Sequence, residues 1–190
     1  MKDNKDDTKD SKWIGDLFRL GLVPGSYIPC KPICILREFT RYRYKLTSCR
    51  FSEKNRFQNA LTVCNVKLNS VVSHIFGKSA TSVIDCLIEQ ASNSIIHEEI
   101  ASRLLCSLKK KSDSVIESIE GFQMTDSQKF PIRLIPTHMD YFTSTIHDID
   151  TMIDSLVAPY EHTVQLLCTI PGVDRNSPVT VISEIGIDMA

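Results

Sequence analysis

Two aspartates near the start of the chain have the side-chain type and the spacing of a metal-binding pair. Asp7 and Asp10 lie in the segment DDTKDS, three positions apart, so on a helix their carboxylates face the same side. Carboxylate oxygens are the ligands that Mg²⁺ prefers, and two-metal phosphoryl-transfer sites need several of them. Asp16 cannot extend the pair, because it points to the opposite side of an ideal helix. A simple charged leader is the alternative interpretation.

A second group of residues suited to chemistry is the basic and aromatic stretch REFTRYRYKLTSCR. The segment from Lys31 to Arg56 carries eight Lys or Arg against two Glu. Tyr42 or Tyr44 could stack on a base while the cations contact phosphates. The candidate cations are Arg37, Arg41, Arg43, Lys45 and Arg50. A solvated helix face with the tyrosines in the core would give the same pattern, so both interpretations stay open.

A third candidate site lies in LLCTIPGVDRNSPVTVISEIG, near the end of the chain. An apolar helix is predicted to end at Ile170 and a second to follow a tight turn, which is a helix–hairpin–helix pattern. Such a turn can present backbone N–H groups to a phosphate, with Gly172 and Arg175 as the candidate nucleic-acid-binding residues. An ordinary corner between two packed helices is the alternative. Pro178 is acceptable only in the first turn of the second helix.

The elements that must position these residues are predicted to be mostly helices. One is expected from about 7 to 22 and a long one from about 33 to 61, joined by the connector VPGSYIPCKP. The long helix should bury a stripe made of Phe39, Tyr42, Leu46 and Cys49. The stretch 63–77 is ambiguous between a short helix and a strand. Further short helices are expected at about 81–90, 97–108 and 113–120.

The clearest periodicity is a set of apolar residues separated by alternating steps of three and four. Its members are Ile132, Ile135, Met139, Phe142, Ile146, Ile149, Ile153 and Leu156. This stripe predicts a coiled coil or a two-helix arm, without indicating which segment covers it. Its outer positions are acidic, which favours a solvated arm over a DNA-binding surface. Pro136 predicts a kink, or a new helix start with Pro136 in the first turn.

The composition excludes several classes of protein. The net charge of −1 gives no global basic signature, and no apolar run approaches the roughly 18 residues of a membrane span. The charged amino terminus does not resemble a signal peptide, so a cytoplasmic protein is expected. The seven cysteines include no CxxC pair, and no His lies at ligand spacing beside Cys30 and Cys34. Reduced, mostly buried thiols are therefore predicted in preference to a zinc site.

In this order, the blocks resemble the insertion-sequence transposases with a RuvC-like DEDD domain, often called the one-ten family. Similar members carry a T-D-x-x-D-A-like acid pair, matched here by DDTKDS. A hydrophobic helix ending near LFRLGLV follows, then a connector like YIPCKPI and the basic block LREFTRYRYKL. A later L-x-x-I-P-G-V block closes on ISEIG, from Leu167 to Gly186. The resemblance covers essentially the whole chain.

The resemblance implies a DNA recombinase whose RNase H-like domain gathers four acids around Mg²⁺. A separate domain supplies a serine nucleophile, and a bridging structured RNA pairs with donor and target DNA. Asp7 and Asp10 would then be catalytic metal ligands, the third and fourth acids of the set. The basic helix would contact nucleic acid, and the heptad arm would hold subunits together as a homo-oligomer. No membrane partner is implied.

The resemblance also shapes the expected fold, which is mainly α. Residues 1–75 would be the remnant of the RuvC-like α/β domain, 76–160 a helical arm, and 161–190 the start of the transposase domain with the hairpin. Because two acids and the serine of the family pattern have no match, an inactive, truncated fragment without the central sheet is predicted. The alternative function is a helical adaptor that dimerises through the Ile132–Leu156 stripe without nucleic acid. A product that never folds stably is a further possibility.

Overall fold

The computed structural model describes residues 7–23, 28–89 and 97–187. Within these ranges the chain forms eight α-helices and no β-strand, so the prediction of a mainly α protein is confirmed. The helices are α1 Asp7–Arg19, α2 Lys31–Val63, α3 Lys78–Glu89, α4 His97–Arg103, α5 Ser112–Ile119, α6 Asp126–Val157, α7 Glu161–Cys168 and α8 Asn176–Ile185. Single 3₁₀ segments at Leu68–Ser70, Cys106–Lys111 and Ala158–Tyr160 join some of them. The ambiguous stretch 63–77 is thus mostly turns.

Two long helices, α2 with 33 residues and α6 with 32, form the frame of the molecule. They pack side by side in antiparallel orientation. Phe57 near the end of α2 shares a hydrophobic cluster with Ile132 near the start of α6. Leu36 near the start of α2 shares a second cluster with Ile153 near the end of α6. Both hydrophobic clusters are therefore built on the same pair of helices.

The predicted heptad stripe is the face of α6 that packs on α2. Ile132, Ile135, Ile146, Ile149 and Ile153 are buried, while Met139, Phe142 and Leu156 are half-buried. The arrangement is the two-helix arm that the periodicity allowed. A dimer built on this stripe, as the adaptor hypothesis requires, would first have to displace α2.

Each hydrophobic cluster is completed by a group of shorter helices. The first cluster receives side chains from α3, α4 and α5, including Leu87, Ile100 and Ile119, all almost fully buried. The second receives Val164 from α7 and Ile182 from α8. The last helix, α8, therefore packs at the end of the frame where α2 begins. Residues 1–75 and 76–160 thus contribute to both hydrophobic clusters, whereas 161–190 contributes only to the second.

The stripe predicted for α2 is partly wrong. Tyr42 and Cys49 are exposed, whereas Leu46 is buried and Phe39 half-buried. The residues that α2 buries are Ile33, Leu36, Thr40, Leu46, Phe57 and Leu61. The reason is that α6 and α8 meet α2 along a line set by their own side chains, which the sequence of α2 cannot specify.

The predictions made for the helix prolines Pro136 and Pro178 have different outcomes. Of the two alternatives predicted for Pro136, the new helix start is wrong, since α6 begins at Asp126 and contains both Pro131 and Pro136. The kink stays a prediction. Thr125 and Gln128 form a capping box at this start, which fixes it upstream of both prolines. Pro178 is the third residue of α8, in its first turn, as predicted.

The cysteines are less buried than predicted. Cys64 and Cys86 are buried, and burial raises the pKa of each thiol. Cys30, Cys49 and Cys168 are exposed, so the expectation of mostly buried thiols is wrong. These residues lie on surfaces that neither hydrophobic cluster reaches. Among the residues that the structure describes, no helix combines the length and the apolar character that crossing a membrane requires.

Candidate functional site

The acid pair lies in the first turns of α1. Asp7 and Asp10 are both exposed, and the hydroxyl of Ser11 donates to the carbonyl oxygen of Asp7 at 2.7 Å. Throughout the described ranges, no three His, Cys, Asp or Glu residues converge as metal ligands would. The pair therefore offers two carboxylates, which fits Mg²⁺ only where waters and substrate phosphates complete its shell. Acids in a first turn also stabilise a helix through its dipole.

The helix that carries the acids presents an uncovered apolar face. No residue of α1 is buried, and Trp13 and Phe18 are 64% and 75% exposed. At 100° per residue, the two acids fall on the same side of the helix as these rings. Any surface that packs on this face therefore comes close to the carboxylates. The sequence pattern showed the apolar spacing but not that it would be left uncovered.

Arg37 is not directed to solvent but holds the end of α8. Its Nε donates to the carbonyl oxygen of Ser183 at 3.0 Å, and its Nη2 donates to that of Glu184 at 2.6 Å. Arg41, one turn further on, forms a two-pronged pair with the Glu184 carboxylate at 2.8 and 2.7 Å. This pairing holds the pKa of Glu184 below its ordinary value. The blocks LREFTRYRYKL and ISEIG are thus joined to each other.

Two further predicted arginines also have carboxylate partners. Arg43 pairs with Asp150 of α6. Arg175 donates to Glu161 of α7 at 2.7 Å and to Asp154 of α6 at 3.1 Å. These hydrogen bonds raise the pKa of Arg175 above its ordinary value. The basic segment of the sequence therefore meets the acidic face of α6 within the same chain.

The hairpin turn is open around Gly172, and a residue of the same chain caps the start of the helix that follows it. Gly172 is exposed, has φ +83°, and has no atom near the position of an added Cβ. The N–H of Ser177, in the first turn of α8, donates to a carboxylate oxygen of Asp174 at 3.2 Å. Hydrogen bonds from Ser177 hold the pKa of Asp174 below its ordinary value. A phosphate at this helix terminus would compete with that carboxylate.

The remaining two predicted residues line grooves between the long helices. Lys45 lines a groove of about 760 Å³ that α2 shares with α6 and α8. Arg50 lines a second groove, of about 420 Å³, between α2, α6 and the turn region that follows α2. Neither side chain forms an ion pair within the described part of the chain.

The second groove contains residues that the sequence interpretation missed. Phe51, Lys54, His74 and Phe76 line it together with Arg50. Phe76 also stacks on Phe57, with ring centroids 4.8 Å apart, which fixes one wall of the groove. Lys54 follows Arg50 by four positions in the basic helix, a spacing that could have indicated it. His74 and Phe76 carry no signal of this kind in the sequence, because only the fold brings them to α2.

Comparison with known proteins gives one result at the level of a family. Residues 1–66 match the family model of DEDD transposases of the IS110 type, described as a transposase. No curated protein and no solved structure matches the chain. The matched residues include Asp7, Asp10 and the whole of α2. The first 66 residues are thus similar to an IS110-type transposase domain, and this similarity supports a transposase function.

Proposed function

We propose that the chain acts in DNA transposition, as a nucleic-acid-binding transposase polypeptide of the IS110 type. The observation that carries the proposal is the match of residues 1–66 to that family, which spans both the acid pair and the basic helix. DNA is the proposed principal partner, and a structured guide RNA is the proposed second one. The charge of α2 supplies the attraction to phosphates that such partners require.

In this proposal Asp7 and Asp10 contribute two carboxylates to a Mg²⁺ site. Mg²⁺ bound there would polarise a phosphodiester oxygen and orient the attacking and leaving groups. The two side chains lie one turn apart on the same side of α1, in solvent, so both can reach one cation. The other carboxylates of a four-acid site would have to come from outside this pair, because the described residues bring no third ligand to it.

The proposed nucleic-acid function is tested by binding at different salt concentrations. Fluorescence anisotropy would measure the affinity of the purified chain for labelled duplex DNA and for structured RNA. We expect the logarithm of the affinity to fall linearly with the logarithm of the salt concentration, because phosphate contacts release counterions. Absence of binding, or binding that ignores salt, would contradict the proposal.

The proposed metal site is tested by Mn²⁺ titration followed by electron paramagnetic resonance. We expect binding that Asp7→Asn and Asp10→Asn each weaken, since each removes one of two carboxylates. Asp16→Asn is the matched control, because Asp16 pairs with Arg19 and points away from the acid pair. An Asp16→Asn loss equal to the other two would show general charge attraction and would refute the site.

A further inference from the structure

Four of the eight cations of α2 keep their charge available; one is Lys31 at the start of the helix, and the other three lie close together further along it. Arg37, Arg41, Arg43 and Arg56 each pair with a carboxylate of the same chain. By contrast, Lys45, Arg50 and Lys54 form no hydrogen bond or ion pair with any described residue. A paired cation must give up its carboxylate before it can bind a phosphate, whereas an unpaired cation loses only water. The phosphate-binding capacity of the helix therefore concentrates from Lys45 to Lys54.

Two exposed aromatic rings lie among these cations. Tyr44 is 76% exposed and lines the first groove, and Phe51 is 57% exposed and lines the second. They are seven residues apart, which is two helical turns or about 10.5 Å along the axis, on the same side of α2. Two unpaired bases of one strand can therefore each find a separate stacking surface. Tyr42, the other tyrosine considered, points to the opposite side.

The two grooves follow one another along the same side of the frame. The α6 residues that line them are Pro136, Met139, Asp140, Thr143, Asp150, Ile153 and Asp154. At 100° per residue, these positions fall on one side of α6. Asp150 and Asp154 are neutralised by arginines, which leaves Asp140 as the acid opposite Arg50 and Lys54. The second groove therefore combines two available cations, one acid and exposed aromatic surface.

We infer that the surface along these two grooves, which Tyr44, Lys45, Arg50, Phe51 and Lys54 line, binds single-stranded nucleic acid. The inference rests on the proposed function and names the form of its ligand. The cations neutralise phosphates, and the rings stack on bases. A duplex offers the phosphates but keeps its bases stacked on each other, so the rings add affinity only for an unpaired strand. Single-stranded DNA and RNA share this chemistry.

The test compares strands of about 16 nucleotides, the upper site size of such grooves. Anisotropy would measure the binding of oligothymidylate, oligouridylate and a duplex of the same length to the full chain. We expect both single strands to bind more tightly than the duplex. Phe51→Ala and Tyr44→Ala should each weaken single-strand binding about tenfold and leave duplex binding nearly unchanged.

Matched controls exist for each ring and for each charge. Phe130 is 67% exposed on another side of α6, and Tyr42 is 50% exposed on the far side of α2. Phe130→Ala and Tyr42→Ala should leave single-strand affinity unchanged. The double variant Arg50→Gln/Lys54→Gln should lower the salt slope for a single strand by about 1.4. Lys109→Gln/Lys110→Gln removes the same charge from an exposed 3₁₀ segment and should leave the salt slope unchanged.

A gain of affinity completes the test. Asp140→Asn removes the unpaired acid of the second groove and should raise single-strand affinity severalfold, a result that misfolding cannot mimic. Equal binding of single strand and duplex, or equal losses in ring variants and their controls, would overturn the inference while leaving the proposed function standing. Absence of all nucleic-acid binding would overturn both.

Discussion

At the scale of single residues, Arg37 donates to the carbonyl oxygens of Ser183 and Glu184, which belong to the last turn of α8. Carbonyl groups at a helix end have no partner within the helix, so a cation there satisfies them and complements the helix dipole. Thr40 adds a hydrogen bond to the hydroxyl of Ser183 at 3.0 Å. One turn of α2 therefore fixes the end of a helix that lies more than 140 residues later.

Replacing Arg37 by alanine should lower the free energy of unfolding by about 2 kcal/mol, the value typical of hydrogen bonds to a charged group. The side chain is only 23% exposed, so water replaces it poorly. Urea unfolding followed by circular dichroism measures the change. Arg41→Ala is the control, because that side chain is 62% exposed and its pair is screened by solvent. A loss for Arg41→Ala as large as that for Arg37→Ala would contradict this account.

The pair formed by Glu184 predicts a pH dependence. Because Arg41 lowers the pKa of Glu184 below its ordinary 4.5, this carboxylate binds a proton less readily in the folded than in the unfolded chain. The stabilisation is therefore present above about pH 4.5 and disappears as the pH falls through the lower, folded-state pKa. Glu184→Gln should be less stable than the wild type at neutral pH, and the difference should shrink in acid. A difference that is constant from neutral pH to pH 3 would refute this.

At the scale of elements, α2 and α6 match each other in two ways. Apolar residues of α6 recur on one face and are covered by α2 along its length. The basic character of α2 and the acidic character of α6 bring opposite charges together, as in the pair of Arg43 with Asp150. Surface pairs of this kind add little energy each, so burial of the apolar stripe provides most of the stabilisation.

The substitution Ile149→Ala tests whether burial of the apolar stripe of α6 provides most of the stabilisation. Ile149 is 6% exposed within the stripe, and removing its side chain should lower the free energy of unfolding by about 3 kcal/mol through lost burial and a new cavity. Met152, three positions later, is 48% exposed, and Met152→Ala should change the value by less than about 0.5 kcal/mol. Urea unfolding measures both. Similar effects of the two substitutions would show that α6 does not use the predicted face.

At the scale of the whole molecule, both hydrophobic clusters share α2 and α6, while α1 contributes to neither. The unit held together by burial therefore begins with α2. The acid pair and the apolar face of α1 stand outside it. This separation leaves the proposed metal ligands without support from the rest of the described fold.

Trp13 reports on this separation, because it is the only tryptophan of the chain. Since its ring is 64% exposed, acrylamide should quench its fluorescence nearly as efficiently in the native chain as in urea. The measurement is repeated over a range of protein concentrations. Strong protection of the indole in the native chain would contradict an uncovered α1. Protection that appears only at high concentration would identify a second copy as its cover.

The sequence by itself determined where most helices lie and which face of α6 is apolar. The periodicity placed α1, α2 and the stripe of α6 because local geometry repeats every 3.6 residues. Proline rules also placed Pro178 in a first turn. Of the two alternatives for Pro136, the new helix start was wrong because the capping box at Thr125 lies upstream. These are properties of neighbouring residues, so neighbouring letters suffice to predict them.

Only the tertiary structure decided what the charged residues face. Arg37, Arg41, Arg43 and Arg175 have the residue type of phosphate-binding groups, but the fold brings each to a carbonyl or carboxylate from a distant segment. Lys45, Arg50 and Lys54 have the same type and remain available. The local sequence contains no difference between the two sets. Electrostatic pairing depends on distances across the fold, and packing of the frame helices sets those distances.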